Sequence, residues 1–399
     1  MNKLCLYTLQ FPYGLGEQFL ETEIKYLAEE FNQVFIFPAQ SGDTKRDLPK
    51  NVKVIDVDFE GYSSIKGLLS LGMWFIKAGH DVLVRKNKIF LLSSLMRLHY
   101  QAQQLYIYLN LNKLTSNTIH YTYWMDDWTT ILSILKSKNK ISVLVSRAHG
   151  FDLYNERHES GFIPFRSFQL QCINWLYLIS QNGFNYLKER HPEHTSKMKI
   201  SYLGTYKLED TQVKPIMRYE YVVVSCSRVV NLKRLDLIIK SLSQISTLPI
   251  KWIHFGDGEQ LGKIKSLAKE MLPSNVTAEF KGMVSNTEVL KYYSENQIDC
   301  FINLSNSEGL PVSIMEAISY GIPVLATNVG GTNEIVNEKT GCLIDVKTES
   351  EEIARQIEIL LNGQSRNEVY RKEVYAYWKD NFCAATNYKQ FVKDLKTIF

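Results

Sequence analysis

SNSEGLPVSIMEAISYGIPVLATNVGGTNEIV, residues 305–336, decides the fold of this chain. The run just before it, from Ile298 to Leu304, is apolar and short, which predicts a buried strand. Ser305 to Gly309 then leaves the carboxyl end of that strand, where doubly wound sheets place their ligands. Pro311 has a φ suited to the first helical turn and Gly321 suits a left-handed C-terminal cap, so a helix is expected over roughly Val312 to Tyr320. Val324 onward reads as a second strand, closed by the Gly330-Gly331 turn. Strand, loop, helix and strand in this order predict an α/β chain with parallel sheets.

Glu308 and Glu316, with seven residues between them, fall on the loop before the helix and on its second turn. Gly309 lets the backbone approach a ligand closely, and the free N–H groups of Leu310, Val312 and Ser313, together with Pro311 at the turn, form the positive end of a helix. An anion site flanked by two carboxylates fits a ligand carrying both anionic groups and hydroxyls, since each hydroxyl can donate a charge-assisted hydrogen bond. A nucleotide-sugar has both. A surface loop followed by an ordinary amphipathic helix is the competing reading of the glutamates alone.

Further back, Tyr221 to Ser225 is an apolar strand, and Arg228 and Lys233 follow at its carboxyl end. Two fixed cations there suit a departing diphosphate, which gains negative charge as a glycosidic bond breaks. Ile250 to Phe255 is the next strand, and Gly256-Asp257-Gly258 after it is not a dinucleotide fingerprint. No Gly-x-Gly-x-x-Gly follows a strand anywhere, which argues against a Rossmann dehydrogenase or a nucleotide-sugar epimerase.

The stretch resembles the retaining glycosyltransferases of family 4, which have the GT-B fold. Glu308, Glu316, Gly321, Pro323, Val324, Thr327, Gly330, Gly331 and Glu334 match that family's signature in order. Glu-x-Phe-x-x-x-Glu-Ile-x-x-Leu, at Glu17, Phe19, Glu23, Ile24 and Leu27, resembles the members that build capsules, exopolysaccharides or O-antigens. The resemblance implies two doubly wound, Rossmann-like domains facing across a cleft, with a C-terminal helix returning to the first. It implies donor-sugar hydroxyls on Glu308, ribose hydroxyls on Glu316, the diphosphate on Arg228 and Lys233, and the base read by the loop holding Gly282 and Val284. A glycine-bearing loop, here Gly14 and Gly16 before the first helix, lies over the donor diphosphate in many relatives. His149, in a His-Gly-x-Asp segment ending at Asp152, would stand near the reacting carbon or the sugar's hydroxymethyl.

The length, 399 residues, calls for two domains. The expected division is 1–210 for the acceptor side, 211–380 for the nucleotide-sugar side and 381–399 for the returning helix, with the polar, Pro215-containing run 205–220 as linker. A net charge of +4 is too mild to argue for nucleic acid. The six cysteines have no Cys-x-x-Cys spacing and read as reduced core residues of a cytoplasmic protein. Pro12 and Glu17 arrive too soon for a secretory signal, and no apolar stretch is long enough to span a bilayer.

Between Gly61 and Lys113, basic residues interleave with apolar ones around Trp74 and Phe75. This stretch suits either peripheral attachment to an anionic membrane on its inner face or burial of helices in the first domain's core. Asp56 and Asp58 invite a metal reading, but alternation in VKVIDVDFE places them at a strand end; Asp126 and Asp127 are expected to cap the helix that follows them. No metal or other cofactor is expected, because Arg228 and Lys233 supply the positive charge. The expected reaction is metal-independent transfer of a sugar, with retention, from a nucleotide-sugar to a hydroxyl of a lipid-linked glycan. The alternatives are the same fold acting on a small soluble acceptor, or a non-catalytic glycan-binding relative.

Overall fold

The structure is a computed structural model, and it describes residues 3–14, 16–57, 59, 88–208 and 219–398. The chain divides into two compact units: one runs to Ser201 and takes up the chain again from Tyr388, and the other is Tyr202–Asn387.

The first unit is built on seven parallel strands: β1 (Lys3–Thr8), β2 (Gln33–Pro38), β3 (Val52–Val54), β4 (Thr118–Thr122), β5 (Val143–Ala148), β6 (Trp175–Leu178) and β7 (Met198–Ile200). Their order is β3-β2-β1-β4-β5-β6-β7. Residues 4–8, 118–122 and 143–148 are buried without alternation, as expected of parallel strands covered on both faces. From β1 the chain steps outward to β2 and β3 and then returns to lay β4 on the other side. The ends of β1 and β4 therefore flank the topological switch, which opens a crevice at the carboxyl edge.

The second unit repeats the scheme with β8 (Tyr221–Cys226), β9 (Ile250–Phe255), β10 (Val276–Gly282), β11 (Cys300–Asn303), β12 (Val324–Thr327) and β13 (Gly341–Ile344), ordered β10-β9-β8-β11-β12-β13 and all parallel. Here the switch lies between β8 and β11. The helix expected near Val312 runs Val312–Ile318, and Gly321 takes φ +66°, the left-handed conformation that ends it. Pro311 sits at the N-cap, one position earlier than expected, with ψ 104°.

The last helix, Ala384–Lys396, carries the chain from the second unit into the first, where Phe391, Val392 and Leu395 are buried with Ile24, Tyr121 and Tyr177. The Arg147 guanidinium lies 4.2 Å from the Phe391 ring centre and 3.3 Å from Glu23, both side chains of that ion pair being fully buried.

β5 runs to Ala148, its pairing with β6 continuing to Ala148 opposite Leu178; Arg147 is therefore a core residue and the loop begins at His149. Within the expected linker, Thr205 is buried, accepts a 2.7 Å hydrogen bond from Trp378 Nε1 and bridges Cys383, while 209–218 lie outside the described residues.

Of the basic apolar stretch 61–113, residues up to 87 lie outside those described, and so does Asp58. The remainder is the helix Lys88–Leu111, which buries Leu91, Leu95, Met96, Leu98, Ala102, Leu105 and Leu109 in the first unit's core. That half is core, with Arg97 paired to Asp127 at 2.8 Å outside it. Among the described residues no helix is long and apolar enough to cross a membrane.

Candidate active site

In the second unit the two loops that leave the switch carry the predicted residues. After β8 the chain passes Arg228 and makes a single turn, Asn231–Lys233, before Arg234 enters the helix Leu235–Ser243 with φ +49°. After β11 it passes Ser305 to Gly309. The loops are stapled together: Asn306 N–H donates to the Leu232 carbonyl at 2.9 Å, and Arg234 Nε donates to the Leu304 carbonyl at 2.6 Å.

This stapling brings Lys233 Nζ to 2.6 Å from Glu308 Oε1. Asn303 Nδ2 donates to the same oxygen at 3.2 Å, while its own Oδ1 accepts from Ser305 N–H and Oγ–H. Glu308 is buried and doubly held. Beneath it, Gly331 N–H donates to the Gly309 carbonyl at 2.7 Å, and Gly330 has φ +56°. A side-chain carbon at Gly330 would meet the Glu308 carbonyl oxygen at 1.9 Å. The Gly-Gly turn is thus the floor on which the Glu308 loop rests.

Glu316 is buried in the helix Val312–Ile318 and accepts a 2.7 Å hydrogen bond from Asn286 Nδ2. Burial pushes its carboxyl up to about 7, with the Asn286 amide pulling the other way. Burial likewise raises the Cys226 thiol to about 12, Glu316 adding to the rise and Lys233 opposing it, so both charged groups lie close to the end of β8. Leu310 and Pro311 are buried and Val312 is half-buried; the Val312 and Ser313 amides precede the first intrahelical bonds. Arg228 is exposed and, among the described residues, pairs with no carboxylate. Gly282, with φ +71°, closes β10 and accepts from Gly256 N–H at 2.9 Å; Val284 follows, half-buried.

The first unit holds His149. The residue is 5 % exposed, and its ring packs between Tyr123 and Trp124, with ring centres 4.6 and 4.3 Å away. Asp152 fastens the loop by accepting from His149 N–H at 2.8 Å and Met125 N–H at 2.9 Å, and its Oδ2 lies 3.8 Å from His149 Nδ1. Burial would raise the Asp152 carboxyl, but the imidazole and these two amides more than offset it and hold it below the usual range. Among the described residues, neither ring nitrogen of His149 has a hydrogen-bond partner.

Gly14, with φ +61°, and Gly16 stand in the loop after β1 as expected, and their carbonyls accept from Arg46 at 2.8 and 2.9 Å. The first amides of that loop are engaged by a side chain the sequence reading assigned no role: Glu17 accepts from the N–H of Leu9, Gln10 and Phe11 and from Trp124 Nε1. Glu17 thereby fixes the indole on which His149 rests. Asp126 caps the helix Asp127–Ser137 by accepting from Trp128 N–H at 2.9 Å. Among the described residues no three metal-capable side chains cluster.

Residues 207–377 match the family described as Glycosyl transferases group 1. The second unit belongs to that family. Its sequence relatives include an O-antigen biosynthesis glycosyltransferase, WbnH of Escherichia coli, 34 % identical over 127 residues that make up 32 % of this chain and 34 % of the relative. The chain spans between about a third and a half of the length of the first curated relatives it matches. Solved structures align over the whole chain. The lipopolysaccharide outer core galactosyltransferase WaaB gives a TM-score of 0.72 at 15 % identity, covering 100 % of both chains. HepE of Anabaena, solved with UDP and glucose, gives 0.68 at 16 % identity, covering 99 % of this chain and 100 % of that one. The group 1 fold found here is the expected GT-B: two parallel Rossmann-like sheets and a C-terminal helix that packs on the first unit.

The residues missed by sequence reasoning hold others in place. Asn303 is a strand residue with no motif of its own. Asn286 was findable: Ser285-x-x-Glu288 is a capping box that places it at the start of a helix, two residues beyond the expected base-reading Val284.

Proposed function

We propose that the protein transfers a hexosyl group, with retention, from a UDP-sugar to a hydroxyl of a glycan in cell-surface polysaccharide assembly. The observation that carries this reading is the contact of Lys233 with Glu308 at the switch of the group 1 unit, with Glu316 close by. Glu308 receives donor-sugar hydroxyls, Glu316 the ribose hydroxyls, and Arg228, Lys233 and the amides at Leu310 and Val312 the diphosphate. Gly309 gives the ligand close access to the backbone, and the Gly282–Val284 loop reads the base. On the first unit we assign His149 to a sugar and Gly14 and Gly16 to a phosphate. HepE, of the same fold, has been solved with UDP-glucose, which supports uridine as the base.

Retention invites a carboxylate nucleophile and double displacement. The carboxylate of Glu308 is instead engaged by Lys233 and Asn303. We therefore assign a front-face path: the departing phosphate oxygen takes the acceptor's proton while Arg228 and Lys233 stabilise the leaving group. Losing one such contact costs roughly 3 kcal/mol, about a hundredfold in turnover. The test is turnover of a UDP-hexose panel by folded Arg228→Ala; unchanged rates would reject the assignment.

A small soluble acceptor is the second reading. It is favoured by the burial of Leu91, Leu95 and Met96 in the core, which takes part of the basic stretch's apolar surface away from any membrane. Binding to anionic vesicles that salt weakens would support a lipid-linked acceptor against this second reading.

A further inference from the structure

We infer that Asn286 is a positioning residue of the donor site, whose side-chain amide fixes the Glu316 carboxylate for the hydroxyls of the nucleoside's ribose. The inference rests on the reading of Glu316 given above and goes beyond it.

The hydrogen bond from Asn286 Nδ2 to Glu316 Oε1, at 2.7 Å, joins two helices. Among the described residues it is the one hydrogen bond that carboxylate receives from the protein. A carboxylate has about four acceptor positions, so most remain for a ligand. A buried carboxylate on a flexible side chain binds a diol well only if its plane is set beforehand.

Asn286 is itself rigidly placed. It opens the helix Asn286–Glu295, whose start is locked by a reciprocal cap: Glu288 N–H donates to Ser285 Oγ at 3.2 Å, and Ser285 N–H donates to the Glu288 carboxylate at 2.8 Å. Val289, Leu290 and Tyr293 bury the inner face of that helix. The amide thus has a fixed origin, and Glu316 takes its orientation from it.

The choice of an amide has chemical sense. A lysine or arginine here would neutralise the carboxylate and weaken it as an acceptor, whereas a neutral N–H orients it and leaves its charge for the ribose hydroxyls. The other titratable groups close to Glu316 are the Cys226 thiol at the end of β8 and the Tyr293 hydroxyl on the Asn286 helix, with Lys233 beyond Cys226. Burial holds both the thiol and the hydroxyl neutral at physiological pH. Asn286 is therefore the group that orients this carboxylate.

The test is calorimetric binding of UDP and of 2′,3′-dideoxy-UDP, which lacks the hydroxyls in question, to the full chain. Wild type should prefer UDP by about a hundredfold, the worth of two charge-assisted hydrogen bonds. Asn286→Ala should lose most of that preference while leaving the dideoxy affinity unchanged, and should move the pH at which UDP affinity falls upward. Asn286→Asp, which keeps the size and suits a helix start, should lose the preference more fully through like-charge repulsion, and serves if the alanine variant fails to fold. Equal weakening of both nucleotides by both variants would overturn the inference and mark Asn286 as merely structural. If wild type itself does not discriminate, or Glu316→Ala discriminates as wild type does, the reading of Glu316 fails and the inference with it.

Discussion

Lys233 and Glu308 form an ion pair, Nζ to Oε1 2.6 Å, although they belong to loops that leave different strands and stand 75 residues apart. The switch between β8 and β11 is what brings them together. Removing the cation leaves the Glu308 carboxylate, buried and still engaged by Asn303, without its counter-charge. Lys233→Ala should therefore lose stability as well as turnover, by about 1–3 kcal/mol in chemical denaturation. Glu308→Gln, which keeps a hydrogen-bond acceptor for Lys233, should lose turnover with a smaller change in stability.

The Glu316 carboxyl, raised to about 7 by burial, sets a pH dependence. Only the ionised form accepts two ribose hydroxyls, so UDP affinity should rise as pH increases from 6 to 8 and level off above. Folding stability runs the other way. The protonated form is favoured in the folded state, so the stability it contributes is full below the ordinary value of 4.5 and is lost as pH rises through about 7. Calorimetry of Glu316→Gln, with both slopes removed, checks the pair of signs.

Gly330 has φ +56°, and any side chain there meets the Glu308 carbonyl. Gly330→Ala should destabilise by more than about 1 kcal/mol, because a left-handed backbone alone costs an L-residue that much. It should also weaken UDP binding by shifting the Glu308 loop. Parallel thermal melts and titrations separate the two effects.

Asp126 caps its helix while half-buried, and desolvation together with the Asp127 charge raises its carboxyl to about 8. The folded state keeps that proton, so its contribution is present below the ordinary value of 3.8 and is lost as pH rises through about 8. Asp126→Asn, whose amide oxygen still accepts from Trp128 N–H, should be as stable as wild type below the ordinary value of 3.8 and increasingly more stable than it as pH rises toward 8. Thermal melts across that range decide it.

Much of the second unit was legible in the sequence because it is written in local chemistry. Gly321 and Gly330 take the left-handed backbones that their turns require, and Tyr221, Ile250 and Val324 each open a strand where an apolar run begins. What was not legible is long-range satisfaction of polar groups. Nothing local in Glu17 says that it gathers three amides and an indole, or in Arg147 that it lies in the core against Glu23 and Phe391. Those partners are up to 244 residues away, and only the folded sheet defines them. The helix Lys88–Leu111 stayed open between two readings for a related reason. Its composition suits a membrane surface and a core equally, and burial alone tells them apart.

Everything proposed for the donor site requires that the β8–β11 switch bind a nucleoside diphosphate-sugar through Glu316. Thermal unfolding of the full chain with UDP-glucose at a hundred times its dissociation constant measures this. Wild type should gain about 2.7 kcal/mol of stability, and Glu316→Ala at the same ligand concentration should gain far less. No gain in wild type across UDP-, GDP- and ADP-sugars, or an equal gain in the folded variant, would contradict it.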